Sequence, residues 1–135
     1  MVKGDWIMSL KNLAGKYYGE EKKNCAVSIL LGASDYYNLG LTLEDIKLIV
    51  GFGGGIGCGY ICGCLAGSVA VLGKLFSSKE NFRPLCAEFT KLFEEKMGSK
   101  DCKQVKAKYF NKENRCLDAV LESADLLEDF ISKVK

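Results

Sequence analysis

The sequence predicts an all-α protein, a compact bundle of six or seven helices with a glycine-rich loop between helices three and four. Apolar residues recur at helical spacing along most of the chain, the first sign of that class. Period-two alternation is nowhere sustained, so no segment reads as a half-buried strand. Pro84 is the only proline, and most of the 15 glycines crowd into one short region, which leaves the other segments free to be helical. At 135 residues the chain reads as a single domain, residues 1–135, large enough to bury a core.

A first helix is expected from about Asp5 to Tyr18, with Asp5 as its cap and Trp6, Leu10, Leu13 and Tyr17 on one face. A charged link from Glu20 to Lys23 leads to a second helix, striped by Cys25, Ile29, Ala33, Tyr36 and Tyr37 and ended by Gly40. Thr42-Leu43-Glu44-Asp45 is an acidic version of the capping box and opens a third helix through Val50. The following stretch, Gly51-Phe52-Gly53-Gly54-Gly55-Ile56-Gly57-Cys58-Gly59, is too rich in glycine for regular structure. A fourth helix from about Ile61 to Phe76 carries Cys62, Ala66 and Ala70 one turn apart, so neighbours can approach it closely. The fifth is the clearest, with Phe82, Leu85, Cys86, Phe89, Leu92, Phe93 and Met97 on one stripe and Gly98 at its end. A short helix follows a cap at Ser99. The last runs from about Glu113 to Val134, burying Cys116, Val120, Ala124, Leu127, Ile131 and Val134.

Composition excludes several functions. Histidine is absent, so Ser-His-Asp and Cys-His catalytic pairs, mixed Cys/His zinc sites and histidine-ligated haem are all ruled out within the chain. No general acid or base stands out, so hydrolytic chemistry has little support. The net charge of +2 singles out no partner class, and nucleic acid is not expected as one. No charge occurs between Leu48 and Gly73, but nine of those 26 residues are glycine, so a buried helix after a loop is expected instead of a membrane span. Met1 to Trp6 has no apolar secretory core, and a cytoplasmic, reducing compartment is the default expectation. Gly51-x3-Gly55-x-Gly57 matches a dinucleotide-type spacing, yet the segment before it opens with a helix cap and no later strands exist to build a parallel sheet. Lys100, Lys103, Lys106, Lys108, Lys112 and Arg115 form a basic stretch, read first as a solvated face and second as a dock for an acidic electron-transfer partner.

The cysteines carry most of the information. Cys25, Cys62, Cys102 and Cys116 are each expected in or near the first turn of a helix. There, unpaired backbone N–H groups and the helix dipole favour negative charge, and so favour a thiolate or an anionic metal–thiolate cluster. Lys22, Lys23 and Arg115 add to the effect. Cys86, in mid-stripe, reads as a core residue, while Cys58 and Cys64 flank Cys62 with their roles open.

At these residues the chain resembles the redox-active proteins named for their C_GCAxxG_C_C cysteine pattern. The matching pieces are Asn24-Cys25-Ala26, the glycine loop, Cys62-Gly63-Cys64-Leu65-Ala66-Gly67, Ser99-x-x-Cys102 and Cys116, over roughly residues 5 to 132. The resemblance implies that Cys25, Cys62, Cys102 and Cys116 are the redox-active or metal-binding set. It also brings Gly53, Gly54, Gly55, Gly57 and Gly63 into cofactor binding, with Cys58 and Cys64 as further candidate ligands. The sequence departs from the pattern at Cys64, where the family usually has alanine, and adds Cys58 and Cys86. A related domain in split-Soret cytochromes is associated with an iron–sulfur cluster. This chain has no Cys-x-x-Cys-His motif, so the analogy carries the cluster and no haem. An iron–sulfur cluster for electron transfer or sensing is therefore the leading expectation, with another thiolate-bound metal behind it. A metal-free thiol–disulfide protein and a non-redox interaction module, with a homodimer among the open arrangements, are the alternatives. The redox readings require at least three of the four sulfurs to meet in one pocket beside the glycine loop, with Cys86 apart.

Overall fold

Side-chain caps set where several of the helices begin in the computed structural model, which describes residues 9–135. Ser9 accepts the Asn12 N–H and opens α1 (Leu10–Gly19). Asn24 accepts the Val27 N–H and opens α2 (Cys25–Tyr37). Thr42 and Asp45 form the expected reciprocal capping box at the head of α3 (Leu43–Val50). After the glycine segment come α4 (Gly63–Phe76), α5 (Phe82–Met97), α6 (Cys102–Tyr109) and α7 (Leu117–Val134). Seven α-helices and no strand are present among the described residues, as expected of an all-α chain. Between Ile61 and Asp101, and between Asn111 and Arg115, there are only isolated bridges. The dinucleotide reading falls with that, because Ile46 to Val50 is helix and no sheet follows it.

The structure moves four expected boundaries. Helix α1 is capped by Ser9; Asp5 and Trp6 lie outside the described residues. Its buried face is Leu10, Ala14 and Tyr18, while Tyr17 is only half-buried and donates from Oη to Asp35 at 2.6 Å. Helix α2 ends at Asn38, which takes left-handed φ/ψ two residues before Gly40. Helix α6 is headed by Asp101, because Ser99 spends its hydroxyl accepting the Asp101 N–H rather than capping the helix itself. Helix α7 starts four residues late, because Asn111 and Arg115 close a tight turn by exchanging both backbone hydrogen bonds.

Helix α2 is the centre of the bundle, packed on α1, α3, α4 and α7. Residues from Ala26 through Leu30 are all buried, so this helix has no solvated face at its start. Close approach to α1 depends on Gly32, where an added Cβ would lie 2.8 Å from the Ala14 nitrogen. Gly67 does the same for α4, since a Cβ there would lie 2.7 Å from the Ala26 carbonyl oxygen. Glu128 of α7 ties the first two helices together, accepting the Leu10 N–H at 3.1 Å and the Tyr36 hydroxyl at 3.0 Å. Among the described residues no helix is long and apolar enough to cross a membrane.

At the far end from the glycine segment, Phe89 packs edge-on against Phe130, with ring centroids 5.3 Å apart, and tilted against Phe93. Phe89 has no solvent exposure. Replacing Phe89 by alanine is predicted to lower stability by about 3–5 kcal/mol, through lost burial and the cavity left behind. Urea unfolding followed by circular dichroism measures it; a loss below about 1 kcal/mol would show that this core collapses freely around the gap.

Candidate functional site

Each of the four pattern cysteines heads a helix. Cys25 is the first residue of α2 and Cys102 the first of α6, while Cys62 and Cys116 are the N-cap residues of α4 and α7. Local bonding brings these starts together. The Cys62 N–H donates to the Lys100 carbonyl at 2.8 Å and the Cys102 N–H to the Tyr60 carbonyl at 2.5 Å, which joins the segments that lead into α4 and α6. The Cys116 N–H donates to the Tyr18 hydroxyl at 3.0 Å, fixing α7 to the end of α1. Arg115 lies 4.6 Å from the centre of the Tyr18 ring and donates to the Tyr18 carbonyl. Its left-handed backbone, φ 55°, turns the chain into α7 at that point. Asn24 does two tasks: it caps α2, and its Nδ2 donates to the Val50 carbonyl at 2.9 Å, so α3 ends beside Cys25.

The result is one cavity of about 230 Å³ lined by Cys25, Cys62, Cys64, Cys102 and Cys116. Tyr18, Asn24, Gly54, Lys106, Phe110 and Arg115 complete most of its wall. The glycines matter through contact. Residues 54–57 run through consecutive left-handed conformations, and Ile56 is among them at φ 61°, a costly conformation for a β-branched side chain. That turn lets Gly55 pack where a Cβ would lie 2.5 Å from the Cys102 Cβ, and it presents the Gly54 N–H to the Cys25 sulfur. A side chain on Gly53 would overlap the Asn24 amide, and one on Gly63 would collide with the Cys25 sulfur. Gly57 faces solvent and touches nothing in the cavity.

Electrostatics divides the five sulfurs. Cys25 is held down to about 6, chiefly by a hydrogen bond from the Cys64 thiol and then by the backbone N–H groups of Gly54, Ala26 and Cys25 itself, against the opposing effect of burial. Cys62 is also lowered, again first by Cys64, with help from the Cys64 and Leu65 N–H groups. Cys64 is pushed well above the ordinary thiol value, because its proton serves both neighbours and its side chain is buried. Burial raises Cys102 and Cys116. Near neutral pH the pocket therefore holds a thiolate on Cys25 and a retained proton on Cys64, with Cys62 biased towards the thiolate form and Cys102 and Cys116 towards the thiol.

All four pattern cysteines and Cys64 line the cavity, beside the glycine turn. Cys58 does not: it is exposed, in a shallow cleft with Tyr60, Asp101, Lys103 and Gln104. Cys86 stays apart on α5. Sequence reasoning missed Tyr18 and Phe110, and it placed Lys106 in the basic stretch without placing it on the cavity wall. The signal for Tyr18 was its position four residues beyond Ala14 and eight beyond Leu10, on the same helix face, which the choice of Tyr17 displaced. Among the described residues no three Cys, Asp or Glu side chains are gathered tightly enough to hold a single metal ion. The sulfurs ring a cavity instead of closing on one point.

Residues 23–130 match the family described as "Putative redox-active protein (C_GCAxxG_C_C)". The chain belongs to that family. It is 35% identical, over 98 residues, to a protein of Archaeoglobus fulgidus whose name reads "Uncharacterized protein". That match covers 61% of this chain and 64% of the archaeal one, so less than two thirds of the relative's length is spanned. No solved structure matches the chain.

Because its pKa is lowered, Cys25 is predicted to react with iodoacetamide as a thiolate at full rate above neutral pH, the rate falling as pH drops through about 6. Replacing Cys64 by alanine removes the leading donor and should move that midpoint up, towards the ordinary thiol value of roughly 8.5. Alkylation resolved by residue with mass spectrometry, as a function of pH, checks both; an ordinary midpoint for Cys25 in the unsubstituted protein contradicts the assignment.

Proposed function

We propose that this member of the C_GCAxxG_C_C family is a redox protein that holds an iron–sulfur cluster in its five-cysteine cavity, for electron transfer or sensing. One observation carries the reading: cysteines from the starts of four helices line a single cavity of about 230 Å³. The donor set fits. It is all thiol, the ligand type that such clusters take. When bound, a cluster supplies one-electron chemistry.

The chain's own residues do the rest. Cys25 and Cys62 offer sulfurs already biased towards the thiolate form. The Gly54 and Ala26 N–H groups donate to the Cys25 sulfur and would stabilise charge accumulated there. Lys106 and Arg115 on the cavity wall supply positive charge to balance an anionic cluster. Tyr18 fixes the Cys116 backbone, so that sulfur keeps its place on the wall. A reducing, cytoplasmic location is part of the proposal, because clustered cysteines in such a compartment more often bind metal or exchange electrons than staple a fold.

A second reading is favoured by a separate observation, the hydrogen-bonded contact of Cys64 with both Cys25 and Cys62. Without a metal, a Cys25 thiolate and the Cys64 thiol can join as a disulfide, releasing one proton and passing two electrons to a disulfide or quinone acceptor.

Anaerobic purification followed by iron and acid-labile sulfide analysis, visible absorption and electron paramagnetic resonance separates the two. The cluster reading predicts stoichiometric iron and sulfide. It also predicts at least a tenfold loss of both in C25S, C62S, C102S or C116S, with helix content kept, and no loss in C86S. A protein free of iron and sulfide after reconstitution, yet titrating reversibly between dithiol and disulfide, contradicts the cluster and supports the alternative.

A further inference from the structure

The mouth of the cysteine cavity carries a surface that neither the fold nor the thiols require. Phe110 lies on the cavity wall and is 48% exposed. Tyr60, whose carbonyl accepts the Cys102 N–H, is 59% exposed. Aromatic rings carry large apolar area together with a polar or π face, which suits them to contact surfaces when they stand exposed beside a functional cavity. Helix α6 connects the two, running about 12 Å from beside Tyr60 to Phe110.

Positive charge surrounds them. Lys103 lies along Gly59 next to Tyr60, and Lys106 sits 5.7 Å from the centre of the Phe110 ring. Lys112 and Arg115 follow on the turn into α7, and all four side chains are exposed. The only acids within residues 100–115 are Asp101 and Glu113, against Lys100, Lys103, Lys106, Lys108, Lys112 and Arg115. Six positive and two negative charges leave this segment at +4 in a chain whose net charge is +2, so the rest of the molecule is on balance acidic. Lys100 is engaged with Glu94, and Lys108 with the Lys96 carbonyl; Lys103, Lys106 and Lys112 make no ion pair among the described residues.

We propose that this face, two exposed aromatic rings at the two ends of α6 with basic side chains around them beside the cavity, docks an electron-transfer protein whose own docking face is acidic. The inference rests on the redox reading above, and charge complementarity selects the partner. Unpaired lysines beside exposed aromatic rings steer carboxylates towards the face that carries the sulfurs. Phe110 and Lys106 belong to the wall of the cavity, so a partner seated there lies directly over it.

Stopped-flow mixing with an acidic plant-type ferredoxin as the probe tests it, with the K103E/K112E double variant beside the unsubstituted protein. These two lysines lie outside the cavity wall, so iron, sulfide and thiol content measured in parallel should be unchanged. The association rate constant should fall more than tenfold in the double variant at low ionic strength. That difference should largely disappear near 1 M salt, where the Debye length is about 3 Å. Equal rates in the two proteins, absence of salt-dependent association, or tighter binding to a random single-stranded oligonucleotide than to ferredoxin would each overturn the proposal. Absence of iron and sulfide from both proteins, with salt-dependent docking intact, would instead count against the cluster reading alone.

Discussion

Four helix starts aimed at one cavity are the constraint on which the rest of the structure depends. A helix start leaves N–H groups without intrahelical partners and carries partial positive charge. Bringing several together is unfavourable unless something electron-rich lies between them. Here cysteine sulfur does, at the first residue of α2 and α6 and at the caps of α4 and α7. None of the caps of α4, α6 or α7 makes a side-chain hydrogen bond to its own helix. The usual Ser, Thr or Asn solution is kept for α1, α2 and α3, away from the four-way junction or, at Asn24, on its edge. Stability elsewhere, in the Phe89–Phe130 core and the Glu128 ties, holds the junction open.

The glycine segment follows from that constraint. To pass between the heads of α2 and α6, the backbone must come closer to Asn24 and Cys102 than any Cβ allows. It does so by a left-handed turn that carries even Ile56 into positive φ. Such strain persists only where the surroundings hold it, and here its product is a backbone N–H delivered to the Cys25 sulfur. Gly63 is required for the same sulfur from the other side. The spacing Cys62-Gly63 is thus a steric statement about Cys25, 37 positions earlier (62 − 25).

Much of this was legible in the sequence because helix starts have local signatures. The Thr42 box, the Asn24 cap and the Gly98 stop need only neighbouring residues to be read. The errors came where tertiary contacts decide. Tyr17 and Tyr18 differ by one position, a 100° rotation; the Leu10–Ala14 spacing favours Tyr18 for the buried face, but only the α7 turn reaching its hydroxyl ties it to the cysteine site. Ser99 looked like a cap until its hydroxyl was taken by Asp101. Cys64, a departure from the family pattern and a further candidate ligand in the sequence, is the buried thiol to which the two acidic cysteines bond, a bonding that no spacing rule could reveal.

The convergence of the sulfurs is the claim on which everything above rests, and a thiol-bridging reagent reads it most directly. Dibromobimane treatment of the reduced, folded protein, followed by peptide mass spectrometry, reports which cysteines lie within one reagent's span. The account predicts bridges among Cys25, Cys62, Cys64, Cys102 and Cys116, with Cys58 and Cys86 carrying only single adducts. Bridges that join Cys86 to any of the five, or single adducts at Cys25, Cys62, Cys102 and Cys116 alike, would contradict it.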